Sequence, residues 1–336
     1  MNNLLNFAFV KYFICFLSAI ILSFLSTLFF RKLAIKLNIL DKPTNLKKHF
    51  KSTPYLGGLA IYLTFVIICL LFSPLNKTLI GILIGGTIIA ITGLIDDIKG
   101  LSVHIRILIQ FIVALILIIC NIKIKFILNP YLSIPLSILW IMGITNAFNI
   151  IDIMNGLSSG IAFIACIFFF LIAFSINKVE ILFPIIILAG SILGFFKFNF
   201  KNASIFMGDC GSLFLGLTLS SISLAESYTS KNNLGLLSPL LILAIPIYDT
   251  FLVMILRKLK GKSMFKGSPD HFALRLKSFG ISNFKVVLIL YGMSLILGIC
   301  GYLVTITTFH QAAIIYSFVI LGLLILGWKI GQLKIK

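Results

Sequence analysis

Charge is what this sequence has least of. Nine of its 336 residues are Asp or Glu, and charged residues of both signs reach only 11%, against about 25% in a soluble domain. A water-soluble fold of this length is excluded, because no single core could hide so much apolar side chain. Histidine is nearly as scarce, with four in the chain. The six cysteines (Cys15, Cys69, Cys120, Cys166, Cys210 and Cys300) form no CxxC pair, and five lie inside apolar runs. That spacing excludes a zinc ribbon and a disulfide framework, and reads as small buried side chains. Also missing are a low-complexity linker, a soluble domain and an internal repeat, so residues 1–336 are expected to form a single transmembrane domain.

What is present is apolar. Hydrophobic residues make up 60% of the chain, and a membrane span needs roughly 20 of them in succession. Eleven such runs are predicted, near 7–30, 55–73, 78–95, 103–120, 131–148, 157–176, 181–198, 211–227, 235–256, 284–304 and 311–330. They must be helical, since an open strand edge in lipid leaves backbone groups unpaired. The expected fold is an all-α polytopic membrane protein. The first run is too long for a signal-peptide core and lacks a small-x-small cleavage site, so it is expected to be retained. The net charge of +19 does not point to nucleic acid, because the basic residues are confined to short segments between apolar runs. Of the Lys and Arg, 22 fall in the odd-numbered loops or at the C-terminus and six on the opposite side. Positive loops prefer the cytosol, which predicts an outside N-terminus, a cytosolic C-terminus and membrane-lipid contacts at the basic loops.

The acidic residues follow the same side. Asp41, Asp96, Asp97, Asp152, Asp209, Asp249 and Asp270 all map to the predicted cytosolic face, and only Glu180 and Glu226 do not. Carboxylates at the edge of an apolar slab are costly and usually functional. Their convergence predicts a site built from cytosolic loops near 31–54, 96–102, 149–156, 199–210 and 257–283. Three segments stand out. In Gly93–Gly100 the adjacent Asp96 and Asp97 repel each other unless a cation intervenes. In Asn146–Gly156, polar residues recur every three positions, placing Asn146, Asn149 and Asp152 on one stripe. In Phe206–Ser212, glycines flank Asp209 and let backbone approach a ligand. Carboxylate and amide oxygens without a His or Cys cluster favour Mg²⁺, or Mn²⁺, over zinc. His271 and Arg275 lie one helical turn apart in the last basic loop.

Together these segments resemble the polyprenyl-phosphate N-acetylhexosamine-1-phosphate transferases, the family of the phospho-N-acetylmuramoyl-pentapeptide transferase and of enzymes that start lipid-linked cell-envelope glycans. The resemblance runs from about Asp41 to Arg275. Asp41-Lys-Pro43 with Lys47, His49, Pro54 and Gly57-Gly58 matches the first cytosolic loop. Gly93–Gly100, continued by Arg106 and Gln110, matches the aspartate-pair segment. Asn146–Leu157 matches the asparagine-rich segment, Ile205–Gly216 the IFMGDxGSLFLG segment, and Pro246–Thr250 the intramembrane PxxDT. Two departures are visible. Ile153 stands where the family has Gly and Asn155 where many members have a second Asp. A single Pro269-Asp270-His271 also replaces the family's histidine clusters, which favours the GlcNAc branch over the muramoyl branch.

The resemblance implies that polyprenyl (undecaprenyl) phosphate attacks the β-phosphorus of a UDP-N-acetylhexosamine and UMP leaves, directly or through a covalent aspartyl phosphate. It implies Asp209 and Asn149 as Mg²⁺ ligands, with Asp96 and Asp97 orienting the lipid phosphate or binding metal. Asp152, Asn155 and Asn146 would contact nucleotide or sugar. His271 and Arg275 would hold the diphosphate with help from Lys47, and the lipid chain would pass Asp249. A homodimer is compatible with this reading. The competing class is a secondary transporter, which would carry midplane carboxylates and broken helices in two related halves.

Overall fold

The computed structural model describes residues 2–41, 52–225, 231–261 and 270–332. Lys47 and His49 lie outside them. The described residues form α1 (Asn2–Lys36), the two-residue strands β1 (Leu40–Asp41) and β2 (Thr53–Pro54), α2 (Gly57–Phe72), α3 (Lys77–Lys99), α4 (Val103–Ile119) and α5 (Pro130–Ile150). After these come α6 (Leu157–Ser175), α7 (Val179–Asn199), α8 (Gly208–Ala225), a 3₁₀ turn (Asn233–Leu237), α9 (Ser238–Ile242) and α10 (Ala244–Leu259). The chain ends in α11 (Phe272–Lys277), α12 (Asn283–Ile306) and α13 (Phe309–Gly331). β1 and β2 pair antiparallel, Leu40 opposite Pro54 and Asp41 opposite Thr53.

Eight helices among the described residues are long and apolar enough to cross a membrane, so the chain is an all-α, multi-pass membrane protein. Helices α2 and α4 are apolar but shorter, at 16 and 17 residues. The continuous span expected over 235–256 is not continuous: the segment before Leu243 and α10 meet at 71°. Pro246 lies in the first turn of α10 and has no N–H to give to Ile242, which is one reason the helix cannot run straight through.

Local chemistry sets the other helix ends. Asn76 accepts from the Leu79 amide at 2.7 Å and starts α3. Ser102 opens α4, and Asn129, followed by Pro130 at the first helical position, opens α5. Gly100 closes α3 with φ +72°. Among the described residues α8 is the most enclosed span, 83% of it buried, whereas α13 is 6% buried and faces outward.

Small residues let helices approach α8 and α7 closely, as membrane interfaces require. A Cβ at Gly93 of α3 would sit 2.5 Å from the Asp209 carbonyl oxygen of α8. One at Gly216 would sit 2.7 Å from the Thr145 Cα of α5. Gly190 and Gly194 of α7 likewise seat α1, where Ser23 donates to the Ser191 carbonyl at 2.5 Å. These crossings bring the C-terminal end of α3 and the N-terminal end of α8 against each other.

Candidate active site

The site grows from the first turn of α8. Gly208 has φ +71°, and any Cβ there would lie 2.5 Å from an Asp97 carboxylate oxygen. Only glycine can turn the chain into α8 while touching that carboxylate. Asp97 accepts from the Asp209 amide at 2.9 Å through Oδ1 and from the Cys210 amide at 3.1 Å through Oδ2. It therefore caps α8 from a neighbouring helix, where the helix end carries partial positive charge. The approach to α8 is pinned from the other side. Phe206 donates its amide to the Pro54 carbonyl at 2.8 Å, and Gly58 donates to the Met207 carbonyl at 2.9 Å.

Asp209 itself is held by two side chains. Its Oδ1 accepts from Asn149 Nδ2 at 2.8 Å, and its Oδ2 accepts from Arg106 Nη1 at 3.2 Å. Asn149 also donates to Ser212 Oγ at 3.0 Å. The Asn149 nitrogen is thus occupied, and its amide oxygen accepts nothing from the described residues. Arg106 Nη1 also pairs with Asp96 Oδ2 at 2.7 Å, and Asp96 Oδ1 accepts from the Leu101 amide at 2.6 Å.

A cavity of about 470 Å³ opens beside this network. Asp41, Asp96, Asp97, Asn149, Asp152, Asn155 and Asp209 all line it. Burial, then the neighbouring carboxylates of Asp209 and Asp97, push the Asp152 carboxyl up to about 8. Such a group asks for a cation or keeps its proton. The turn carrying Asp152 is fixed by Asn199, whose Oδ1 accepts from the Gly156 amide at 2.9 Å and whose Nδ2 donates to the Ile205 carbonyl at 3.1 Å. Asn155 donates to the Lys201 carbonyl at 3.2 Å. Ile153 lines the cavity with no left-handed backbone, so this residue in place of the family's Gly carries no strain.

The donor set suits a hard divalent ion. No three acidic, His or Cys side chains among the described residues are already gathered as a metal cage. Mg²⁺ does not need one, since it usually takes one or two carboxylates and fills its shell with water and phosphate oxygens.

The predicted residues do not all meet. Asp96, Asp97, Asn149, Asp152, Asn155 and Asp209 share the cavity. Asn146 does not line it. Its Nδ2 donates to Gln110 Oε1 at 2.5 Å and its Oδ1 accepts from Gln110 Nε2 at 3.3 Å, joining α5 to α4. Asp249, His271 and Arg275 form a separate buried cluster that is not part of the cavity wall. Asp249 accepts from the Phe272 amide at 2.6 Å and pairs with His271 Nδ1 at 2.8 Å. Arg275, 1% exposed, reaches Asp270 at 2.6 Å and the Ile330 carbonyl of α13 at 3.0 Å. The diphosphate role expected for Arg275 does not fit a guanidinium already occupied by the protein. Arg106 is the residue whose role the sequence left unassigned. Its signal was there, an arginine ten positions after Asp96 on the same predicted side, but only the fold turns it toward Asp209.

The glycosyl transferase family 4 model matches residues 79–227, which hold Asp96, Asp97, Asn149, Asp152 and Asp209. The chain is 33% identical, over 97% of its length and 94% of the relative's, to a Bacillus subtilis (strain 168) protein named probable undecaprenyl-phosphate N-acetylglucosaminyl 1-phosphate transferase. It is 31% identical to the decaprenyl-phosphate N-acetylglucosaminephosphotransferase of Mycolicibacterium smegmatis, over 82% of this chain and 77% of that one. It is 30% identical to the phospho-N-acetylmuramoyl-pentapeptide-transferase of Caldanaerobacter subterraneus subsp. tengcongensis, over 75% and 83%.

Proposed function

This chain belongs to glycosyl transferase family 4, and we propose that it transfers N-acetylglucosamine-1-phosphate from a UDP-sugar to a polyprenyl phosphate, releasing UMP. The carrying observation is the cavity that collects Asp96 and Asp97 from α3, Asn149 from the end of α5, Asp152 from the turn after it, and Asp209 from α8. Those residues come from three motifs far apart in sequence. The names of the relatives supply the sugar and the lipid class.

The chemistry asked of the protein is modest. The acceptor is a phosphate monoester with a second pKa of about 6, so it is largely ionised near neutral pH and needs no strong base. The difficulty is bringing one anion against another, which phosphoryl-transfer sites solve by positioning and charge neutralisation. Asp209 and Asn149 would hold Mg²⁺, or Mn²⁺, which when bound screens the two anionic reactants and the charge on departing UMP. Asp97 keeps the first turn of α8 in place, so that Asp209 meets the cavity at a fixed angle. Asp96 anchors Arg106 beside it. Asp152 and Asn155 line the same cavity and suit contacts with the sugar or nucleotide. His271 keeps its Nε2 free of protein partners among the described residues, which leaves it as a diphosphate contact.

We read α2, α4 and the bent α9–α10 pair as further spans, eleven in all, with the N-terminus outside and the C-terminus and cavity cytosolic. The excess of Lys and Arg in the odd-numbered loops supports that orientation in a plasma membrane. The transporter reading loses its ground, because the carboxylates gather at helix ends in a family of transferases.

The test uses purified protein with undecaprenyl phosphate and a panel of UDP-sugars. UMP is expected from UDP-GlcNAc only when Mg²⁺ or Mn²⁺ is present. Asp209→Asn is expected to lower that rate by roughly 10³-fold or more. Metal-independent release, or full activity in the variant, overturns the metal assignment.

A further inference from the structure

Arg106 and a divalent ion need the same lone pairs. The guanidinium Nη1 is 2.7 Å from Asp96 Oδ2 and 3.2 Å from Asp209 Oδ2. The two halves are not equal. Asp96 is 8% exposed at its side chain and is tied by its other oxygen to the Leu101 amide, so it cannot follow a moving partner. Asp209 is 33% exposed at its side chain, lines the cavity and makes the longer bond. Arginine cannot vacate by losing its proton. It can only turn away.

From this geometry we infer that Arg106 is the resident counter-cation of Asp209, and that a divalent ion enters by displacing it. The inference rests on the reading of Asp209 as a metal ligand. Without metal, the Asp97, Asp152 and Asp209 carboxylates crowd one cavity, and Arg106 offsets part of that repulsion. With metal, Arg106 stays on Asp96 and gives up Asp209. The arginine therefore holds metal affinity below what the oxygens alone would give. The expected gain on removing the arginine is about tenfold in affinity, which corresponds to about 1.4 kcal/mol.

The test needs no substrate. Mn²⁺ binding to the full chain in nanodiscs is followed by electron paramagnetic resonance, with the Mg²⁺-induced rise in Tm as a second reading. Arg106→Gln and Arg106→Met are expected to bind Mn²⁺ about tenfold more tightly than the unsubstituted protein, with a lower metal-free Tm and a larger Mg²⁺ increment. Arg106→Lys, which keeps the charge, is expected to stay within about twofold. A purely structural ion pair would lower the Tm and leave the affinity and the increment unchanged, and that result overturns the inference. A measurement on the unsubstituted protein covers the case in which the neutral variants do not fold. Saturating Mn²⁺ should increase phenylglyoxal labelling of Arg106, read by mass spectrometry, and unchanged or reduced labelling overturns displacement. Asp209→Asn separates the two claims. If it leaves Mn²⁺ binding intact, the metal assignment itself fails. If it removes binding while the Arg106 variants bind as before, only the exchange fails.

Discussion

The Asp97 carboxylate accepts both the Asp209 and the Cys210 amide, at 2.9 and 3.1 Å. One side chain of α3 thereby caps α8 and sets where Asp209 stands. Asp97→Asn keeps one acceptor oxygen and loses the charge at the positive end of the helix. It is expected to lower stability by about 1–2 kcal/mol, read as a drop in Tm in detergent. It is also expected to reduce UMP release at least about tenfold, because Asp209 is carried on the turn that Asp97 holds. An unchanged Tm would remove the capping role, and unchanged turnover would remove the positioning role.

The buried cluster beyond the cavity gives a different expectation. Asp270 is 3% exposed and pairs with Arg275 at 2.6 Å and with Lys260 at 2.5 Å. Arg275→Ala leaves that carboxylate with Lys260 but without the buried guanidinium, which is expected to cost about 1–3 kcal/mol. The Tm should fall sharply. The affinity for Mn²⁺ in the surviving folded fraction should not change, because Arg275 is not part of the cavity that holds Asp209 and Asn149. A variant with an unchanged Tm and lost UDP-sugar binding would return Arg275 to the substrate.

Much of this was legible in the chain. Helix positions followed from apolar runs because lipid imposes one secondary structure and one length scale. The aspartates of the cavity followed from their scarcity: in a chain with nine acidic residues, carboxylates at the ends of apolar helices need a reason. The partners of those carboxylates were not legible. Asn146 and Asn149 differ by three positions and look equivalent on a helical wheel, yet Asn146 turns to Gln110 and Asn149 to Asp209. Which one faces the cavity depends on how α4 lies against α5, and no local pattern carries that. The bend at Leu243 was missed because hydropathy does not register direction. The pairing of Asp249 with His271 Nδ1 is not legible either, because a polar pair buried by the protein itself looks in sequence like a pair facing ligand.

The Gln110–Asn146 amide pair makes a prediction of its own. Gln110 is 2% exposed and lies one turn beyond Arg106, while Asn146 lies just short of one turn before Asn149. The pair therefore registers the two residues that reach Asp209. Asn146→Leu strands the buried Gln110 amide and should cost about 1–3 kcal/mol, whereas Gln110→Leu leaves the half-buried Asn146 on the Met142 carbonyl and should cost less. The double variant removes the stranded Gln110 amide and should cost less than the sum, a coupling of about 0.5 kcal/mol or more in a double-mutant cycle. If the pair also positions chemistry, kcat should fall in every variant while KM for the UDP-sugar changes little. Simple additivity in stability would show that the two amides do not act together.

Asp152 gives the metal-free protein an expected dependence on pH. Its carboxyl is pushed up to about 8 by burial and by Asp209 and Asp97, whereas in an unfolded chain an aspartate titrates near ~3.9. Between those values the folded state binds more protons than the unfolded one, so stability falls as pH rises through that window. In EDTA, the Tm of the unsubstituted protein should therefore decline between about pH 5 and 8. Asp152→Asn, which never ionises, should make that decline shallower, with Asp97 and Asp209 supplying the rest, and should give the more stable metal-free protein at the alkaline end. On the proposed metal role, Mg²⁺ would supply the cation in place of the proton, so adding it at about pH 8 should restore the unsubstituted protein more than the variant. Thermal unfolding at several pH values, with and without Mg²⁺, reads all four arms. A variant that is less stable than the original in EDTA at alkaline pH would mean that another group already neutralises Asp152.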